Sequence, residues 1–77
     1  HEFYVALYYT NNHSNIAAIN RCKYIIENYP NSPAVADGHH LMAYNYDLIN
    51  AEQLAIDARK VLSLSYPSYL PGYSVNK

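Results

Sequence analysis

Residues 4–30 read YVALYYTNNHSNIAAINRCKYIIENYP, and residues 41–67 read LMAYNYDLINAEQLAIDARKVLSLSYP. Superposed at an offset of 37, the two stretches share Ala6 with Ala43, Tyr9 with Tyr46, Ala18 with Ala55 and Ile19 with Ile56. The dipeptide Tyr29-Pro30 recurs as Tyr66-Pro67 at the same offset. A fixed period of this length marks a solenoid, in which each unit buries its apolar face only against its neighbours. Such stacks are surfaces that hold other molecules, so function is sought in faces and grooves before reactive centres.

Around this frame, apolar spacing predicts four helices. The first runs from about Glu2 to Asn11, with Phe3, Ala6, Leu7 and Tyr9 on its apolar side. Asn11-Asn12-His13 forms a turn, and Ser14 is placed to cap the second helix. That helix carries Ala18, Cys22, Ile25 and Tyr29 at steps of four, three and four, widened by Ile19 and Ile26. After Pro30-Asn31, Ser32 is suited to cap the third helix, with Pro33 at a first helical position that needs no N–H. This helix reaches about Ile49 through Leu41, Met42, Asn45 and Tyr46; Gly38 within it costs about 1 kcal/mol relative to Ala, so close packing or fraying is expected there. Asn50 and Gln53 resemble a capping pair for the fourth helix, which presents Leu54, Ala55, Ala58, Val61, Leu62 and Ser65. Residues 68–77 contain Pro71-Gly72 and no helical period, and read as a turn and a tail. The expected fold is all-α: a unit over 1–30, a second over 31–67 and the tail.

Composition narrows the function classes. Net charge is −1 and charged residues make up 14% of the 77, which gives no basic face for a phosphate backbone. Ten Tyr and no Trp favour helix interfaces and partner surfaces, because a Tyr ring packs while its hydroxyl stays wet or paired. The lone Cys22 rules out an intrachain disulfide and sits on the apolar stripe, where core packing is its expected role. No apolar run approaches the roughly 18 residues of a membrane span. About three units normally make a continuous solenoid core; with two, the chain is expected to be a piece of a longer stack, its last two repeats.

Helix–turn–helix units with Tyr9, Ala18 and Pro30, then Tyr46, Ala55 and Pro67, resemble tetratricopeptide repeats. Ala6 and Ala43 match the small residues at which that motif packs its paired helices closely. Cys22 and Arg59 depart from its large aromatic, and Ile25 and Leu62 from its later small residue. A narrower resemblance rests on Val5-Ala6-Leu7-Tyr8-Tyr9-Thr10, Ala17-Ala18-Ile19-Asn20-Arg21, Tyr29-Pro30-Asn31-Ser32, and Asp37 with Leu41-Met42 and Tyr46. These are similar to the BamD family, tetratricopeptide lipoproteins of the bacterial outer-membrane β-barrel assembly machine. The resemblance covers about residues 2–68 and corresponds to the C-terminal two of that family's five repeats, with Gly38 standing where Ala is usual. The Tol–Pal-linked periplasmic repeat family shares Tyr-Pro-Asn-Ser but follows it with Trp-Leu-Gly, where this chain has His39-His40-Leu41-Met42-Ala43.

The resemblance implies a non-catalytic scaffold on the periplasmic face of the outer membrane, its lipid anchor outside this chain. Its partners would be the POTRA region of BamA and accessory Bam lipoproteins. Arg21, beside the Ala18–Cys22–Ile25 stripe, is the expected docking residue with its neighbour Asn20, because a guanidinium can grip a partner carboxylate with two prongs. The competing reading is an intrachain pair, for example with Glu27 or a helix-end carbonyl. Arg59 and Lys60 are secondary docking candidates, otherwise a solvated outer face. By analogy with tetratricopeptide solenoids, Phe3, Leu7 and Thr10 align with His40, Tyr44 and Asp47 along a concave groove. That groove lacks the Lys and Asn by which some relatives hold a peptide carboxylate, and Tyr stacking remains as its means of holding an extended segment. His39 and His40 diverge by about 100° on one helix and cannot share a metal. The spaced set His40, Tyr44 and Asp47 reads as a groove patch. No catalytic residue, metal or cofactor is assigned. The alternatives are a peptide-binding or Tol–Pal-linked periplasmic module, and self-association covering the exposed end of the stack.

Overall fold

Chain reversal without glycine sets the architecture. A computed structural model describes residues 2–76, with helices α1 (Glu2–Asn11), α2 (Asn15–Asn28), α3 (Ala34–Leu48) and α4 (Glu52–Ser65). At the α1–α2 turn His13 has φ 61°, and at the α3–α4 turn Asn50 has φ 61°. Around each, two hydrogen bonds close the helix end. Ser14 N donates to Tyr9 O (2.9 Å) and His13 N to Thr10 O (3.1 Å); Ala51 N donates to Tyr46 O (2.9 Å) and Asn50 N to Asp47 O (3.1 Å). This is the Schellman arrangement, with His and Asn at the left-handed position that Gly usually fills.

The residues that follow repeat as closely. Ser14 (φ −91°, ψ 67°) matches Ala51 (φ −89°, ψ 67°), and Tyr29 (φ −131°, ψ 55°) matches Tyr66 (φ −136°, ψ 63°). The 37-residue offset of the sequence is thus also an offset of backbone geometry. The expected capping pair at Asn50 is corrected: Asn50 belongs to the preceding helix's end, Ala51 precedes α4, and Gln53 Nε2 donates instead to Asp57 Oδ1 at 2.9 Å. Ser14 precedes α2 but its side chain makes no capping bond. Ser32 does cap: its Oγ accepts from Ala34 N at 3.1 Å, ahead of which Pro33 already has helical angles (φ −58°, ψ −23°).

Adjacent helices pack in order, α1 on α2, α2 on α3 and α3 on α4, and α1 also meets α3. The result is an all-α, tetratricopeptide-like arrangement of helical hairpins, with no strand among the described residues. No described helix is long and apolar enough to cross a membrane. The fully buried Ala6, Ala18 and Ala55 and the nearly buried Ala43 let helices approach closely, and Phe3, Ile19, Cys22, Ile25, Leu41, Met42 and Tyr46 fill the space between.

One polar side chain lies inside this core. Asn45 is 0% exposed. Its Nδ2 donates to Thr10 Oγ1 on α1 and to Leu41 O on α3, both at 2.9 Å, while its Oδ1 accepts from Asn15 Nδ2 on α2 at 2.9 Å. Thr10 Oγ1 in turn donates to Ala6 O at 3.0 Å. A buried amide is tolerable only when satisfied, and here the satisfying partners sit on different helices.

The backbone repeats but the faces do not. Leu41 and Asn45 of α3 are buried at 0%, whereas their counterparts on α1, Tyr4 and Tyr8, are 63% and 65% exposed. On α2, Ile19, Cys22 and Ile26 pack inward; the counterparts on α4 are Ile56, Arg59 and Ser63, all exposed. The stack therefore presents tyrosines on one end and a mixed charged face on the other.

Two stability changes follow. Asn45→Ala should cost about 3 kcal/mol in urea-denaturation stability, since it deletes three hydrogen bonds and strands the Asn15 amide; a loss below about 1 kcal/mol would show that the clamp is dispensable. Gly38 is buried in the α3 interior, yet a Cβ there would meet only Cys22 O and Ile26 Cγ1, each at 3.8 Å, an ordinary contact. Close packing thus leaves room for a methyl group, and Gly38→Ala should stabilise the chain by about 0.5–1 kcal/mol in the same assay.

Candidate functional site

Between α1 and α2 lies an open cavity of about 360 Å³ lined by Tyr9, Ala17, Asn20, Arg21 and Tyr24. Arg21 holds its position through two contacts. Its Nη1 donates to Glu2 Oε1 at 2.8 Å, and its guanidinium carbon lies 5.4 Å from the centre of the Tyr24 ring. Its intrachain partner is thus Glu2, in the first turn of α1, rather than Glu27. Both side chains are about one-third exposed (35% and 37%), so the guanidinium still meets solvent. Asn20 is exposed on the same rim.

The equivalent place in the second hairpin has the opposite chemistry. Tyr46, Leu54, Asp57, Ala58 and Val61, with His39 and Met42, line a smaller space of about 210 Å³. Ala58 stands where the first hairpin has Arg21, and His39 where it has Glu2. His39 Nδ1 is buried there without a hydrogen-bond partner.

Arg59 is not simply part of a solvated face. It grips Asp47 with two prongs, Nη1 to Oδ1 at 3.3 Å and Nη2 to Oδ2. Asp47, expected in the concave groove, is turned toward α4 by this pair. The guanidinium holds the Asp47 carboxyl below its ordinary value and is itself raised by the carboxylate. Lys60 is exposed beside it.

The α1–α3 face differs most from expectation. Residues 68–76 do not trail away from it. Tyr69 OH donates to Asp37 Oδ1 at 2.5 Å, the Tyr73 hydroxyl and His40 Nδ1 meet in a 2.6 Å hydrogen bond, and Asn76 N donates to Asn11 Oδ1 at 2.9 Å. The Tyr73 ring packs edge-on against Phe3, with centroids 4.9 Å apart. His40 stands 5.5 Å from the Tyr69 ring and 5.7 Å from the Tyr73 ring. Of the expected groove residues, Phe3 and His40 therefore meet the tail. Leu7 packs partly buried against the core, Thr10 is withdrawn into the Asn45 network, and Tyr44 stays half-buried. In a segment with no helix, positions 69, 73 and 75 fall on one side of an extended chain, and that alternation was the available sign that the tail packs against something.

Burial shapes the titrating groups. It pushes the Cys22 thiol up to about 12, an environment for an inert core thiol rather than a nucleophile. Burial and then Asp37 raise the Tyr69 and Tyr73 hydroxyls, both of which stay protonated. His39 is lowered by burial; His40 is lowered by burial and by Arg59, against a smaller opposing pull from Asp37. Among the described residues no group of three or more His, Cys, Asp or Glu is placed to hold a metal ion.

The family described as YfiO, outer membrane lipoprotein, matches residues 1–62. The chain is 38% identical over 66 residues to the outer membrane protein assembly factor BamD of Neisseria gonorrhoeae, and 36% and 35% identical over the same length to the BamD proteins of Neisseria meningitidis serogroups A and B. Each match covers 86% of this chain and 25% of the relative, so the chain spans about a quarter of the length of the curated relatives it matches. No solved structure matches.

The histidines give a pH dependence of defined sign. Because His39 and His40 titrate below the ordinary 6.5 when folded, the unfolded chain binds more protons as pH falls past that value. Their contribution to stability is complete above about pH 6.5 and is lost as the medium acidifies toward their folded values. The urea midpoint should hold steady from pH 8 to 7 and decline from about 6.5 downward. Asp47, lowered from 3.8, adds a further loss only in stronger acid. Changing both histidines to Gln should flatten the first decline; an unaltered profile would assign it to other groups.

Proposed function

Because the chain belongs to the YfiO family of outer membrane lipoproteins, we propose that it is a docking segment of a BamD-like subunit and helps assemble outer-membrane β-barrel proteins without catalysing a reaction. In this reading α1–α2 and α3–α4 are successive repeat units of a longer stack, held at the periplasmic face of the outer membrane. Their faces bind the POTRA region of BamA and accessory lipoproteins. The family match favours this over the Tol–Pal-linked module.

The observation that carries the proposal is the state of Arg21. An exposed ion pair contributes only about 0–1 kcal/mol to stability, so the Glu2 contact can be exchanged at little cost. It nevertheless holds the guanidinium extended over Tyr24 at the mouth of the α1–α2 cavity. A side chain ordered beforehand loses less freedom when a partner carboxylate replaces Glu2. Water leaving the cavity would then strengthen the new two-pronged bond. Tyr9 and Tyr24 supply the aromatic contact area typical of docking sites.

The test is the affinity of the full-length protein for the purified periplasmic region of BamA. Arg21→Glu should weaken binding by about 2 kcal/mol, roughly 30-fold. Glu2→Gln, which frees Arg21 without reversing its charge, should leave affinity unchanged or slightly higher. Undiminished binding by Arg21→Glu would remove Arg21 from the interface, and loss of binding in Glu2→Gln would make the intrachain pair itself the functional element.

A further inference from the structure

The tail lies on the α1–α3 face as a bound peptide would. After a turn in which Tyr69 N donates to Tyr66 O at 3.0 Å, it forms neither helix nor strand, and it hydrogen-bonds to side chains of α1 and α3. Tyr69, Tyr73 and Val75 turn inward and are half-buried, while Leu70, Pro71, Ser74 and Asn76 are exposed. Recognition has three parts. Asp37 and His40, one turn apart on α3, each take a tyrosine hydroxyl; Phe3 and His40 receive the rings; and Asn11 takes a backbone N–H, a contact independent of sequence.

The fit is incomplete at one point. A Cβ on Gly72 would meet nothing within 4 Å. Gly72 itself lines a cavity of about 340 Å³, together with Phe3, Tyr4, Ala34, Asp37 and Tyr73, among others. The tail therefore occupies this groove without filling it.

We infer that residues 69–75 are a detachable strap over a groove whose other ligand is an extended peptide of the pattern Tyr-x-x-Φ-Tyr-x-Val, where Φ is a large apolar side chain. The strap has the advantage of attachment, which gives it an effective concentration on the order of millimolar. A competing peptide overcomes that advantage by placing Φ in the space Gly72 leaves open, adding buried apolar area that the strap lacks. The two tyrosine hydroxyls make the site selective: a peptide with Phe at both positions leaves the part-buried Asp37 carboxylate and His40 Nδ1 without the hydroxyls they hold now. This assignment concerns the α1–α3 face and stands apart from docking through Arg21.

The test uses the full chain and a synthetic peptide of residues 68–76 added in trans, titrated by calorimetry. The double variant Tyr69→Ala/Tyr73→Ala, whose strap has lost both anchors, should bind the peptide at least tenfold more tightly than the wild type. Leu at the peptide's Gly72 position should tighten binding several-fold further, and Phe at both Tyr positions should weaken it at least fivefold. Equal affinity for wild type and variant, or no binding to a variant whose helical circular dichroism is intact, would overturn the assignment. Should the double variant lose its helices, Tyr69→Phe/Tyr73→Phe decides instead. It keeps the rings, and its amides over 68–76 should exchange with deuterium at least tenfold faster while those of α1 and α3 do not change. Unchanged exchange in the tail would overturn the assignment as well.

Discussion

Asn45 is the constraint on which the other arrangements depend. In an apolar stack, helices can slide or rotate past one another with modest change in buried area, because hydrophobic contact has no preferred direction. A buried amide removes that freedom: Nδ2 and Oδ1 are satisfied only when Thr10 of α1 and Asn15 of α2 stand where they do. Polar groups inside helical interfaces are known to fix register in this way. The α1–α3 face that receives the tail, and the height at which Phe3 stands beside His40, follow from that fixed register.

On this frame the two hairpins carry different surfaces on one backbone. Position by position, the inner stacking surface of α2 (Ile19, Cys22, Ile26) becomes Ile56, Arg59 and Ser63 on α4. Thr10 and Cys22, both buried, become the exposed pair Asp47 and Arg59. The side groove changes from one lined by Arg21, whose ion-pair partner is Glu2, to one lined by Ala58 and His39. Backbone geometry answers to the turn residues and the small helix-contact alanines, which are shared. Surface chemistry answers to the remaining positions, which are not. A repeat of this kind supplies chemically distinct faces without a new fold.

The helices and their repeat were legible because they depend on local spacing. Ala18, Cys22, Ile25 and Tyr29 mark one face of a helix whatever lies opposite. The turns were legible in place but not in mechanism: His13 and Asn50 take the left-handed conformation without glycine, and only the matching pair of hydrogen bonds exposes it. The site was less legible, because its partners are set by how high and at what rotation helices meet. Arg21 finds Glu2 19 residues away, Asn45 finds Thr10 35 away, and Tyr73 finds His40 33 away. No periodicity encodes these distances. For the tail, lack of helical period showed that it was not a helix, and said nothing of whether it was loose.

Cys22 carries a last consequence. Its side chain is fully buried in the core cluster, its carbonyl oxygen lies 3.8 Å from where a Gly38 Cβ would stand, and burial raises its thiol. Alkylating reagents and disulfide-exchange partners attack the thiolate, which this enclosure suppresses. Such a group reacts in the moments when the core around it opens, so the speed of its chemical labelling is a clock for that opening. The molecule thus carries, inside its core, a native reporter of how often that core opens.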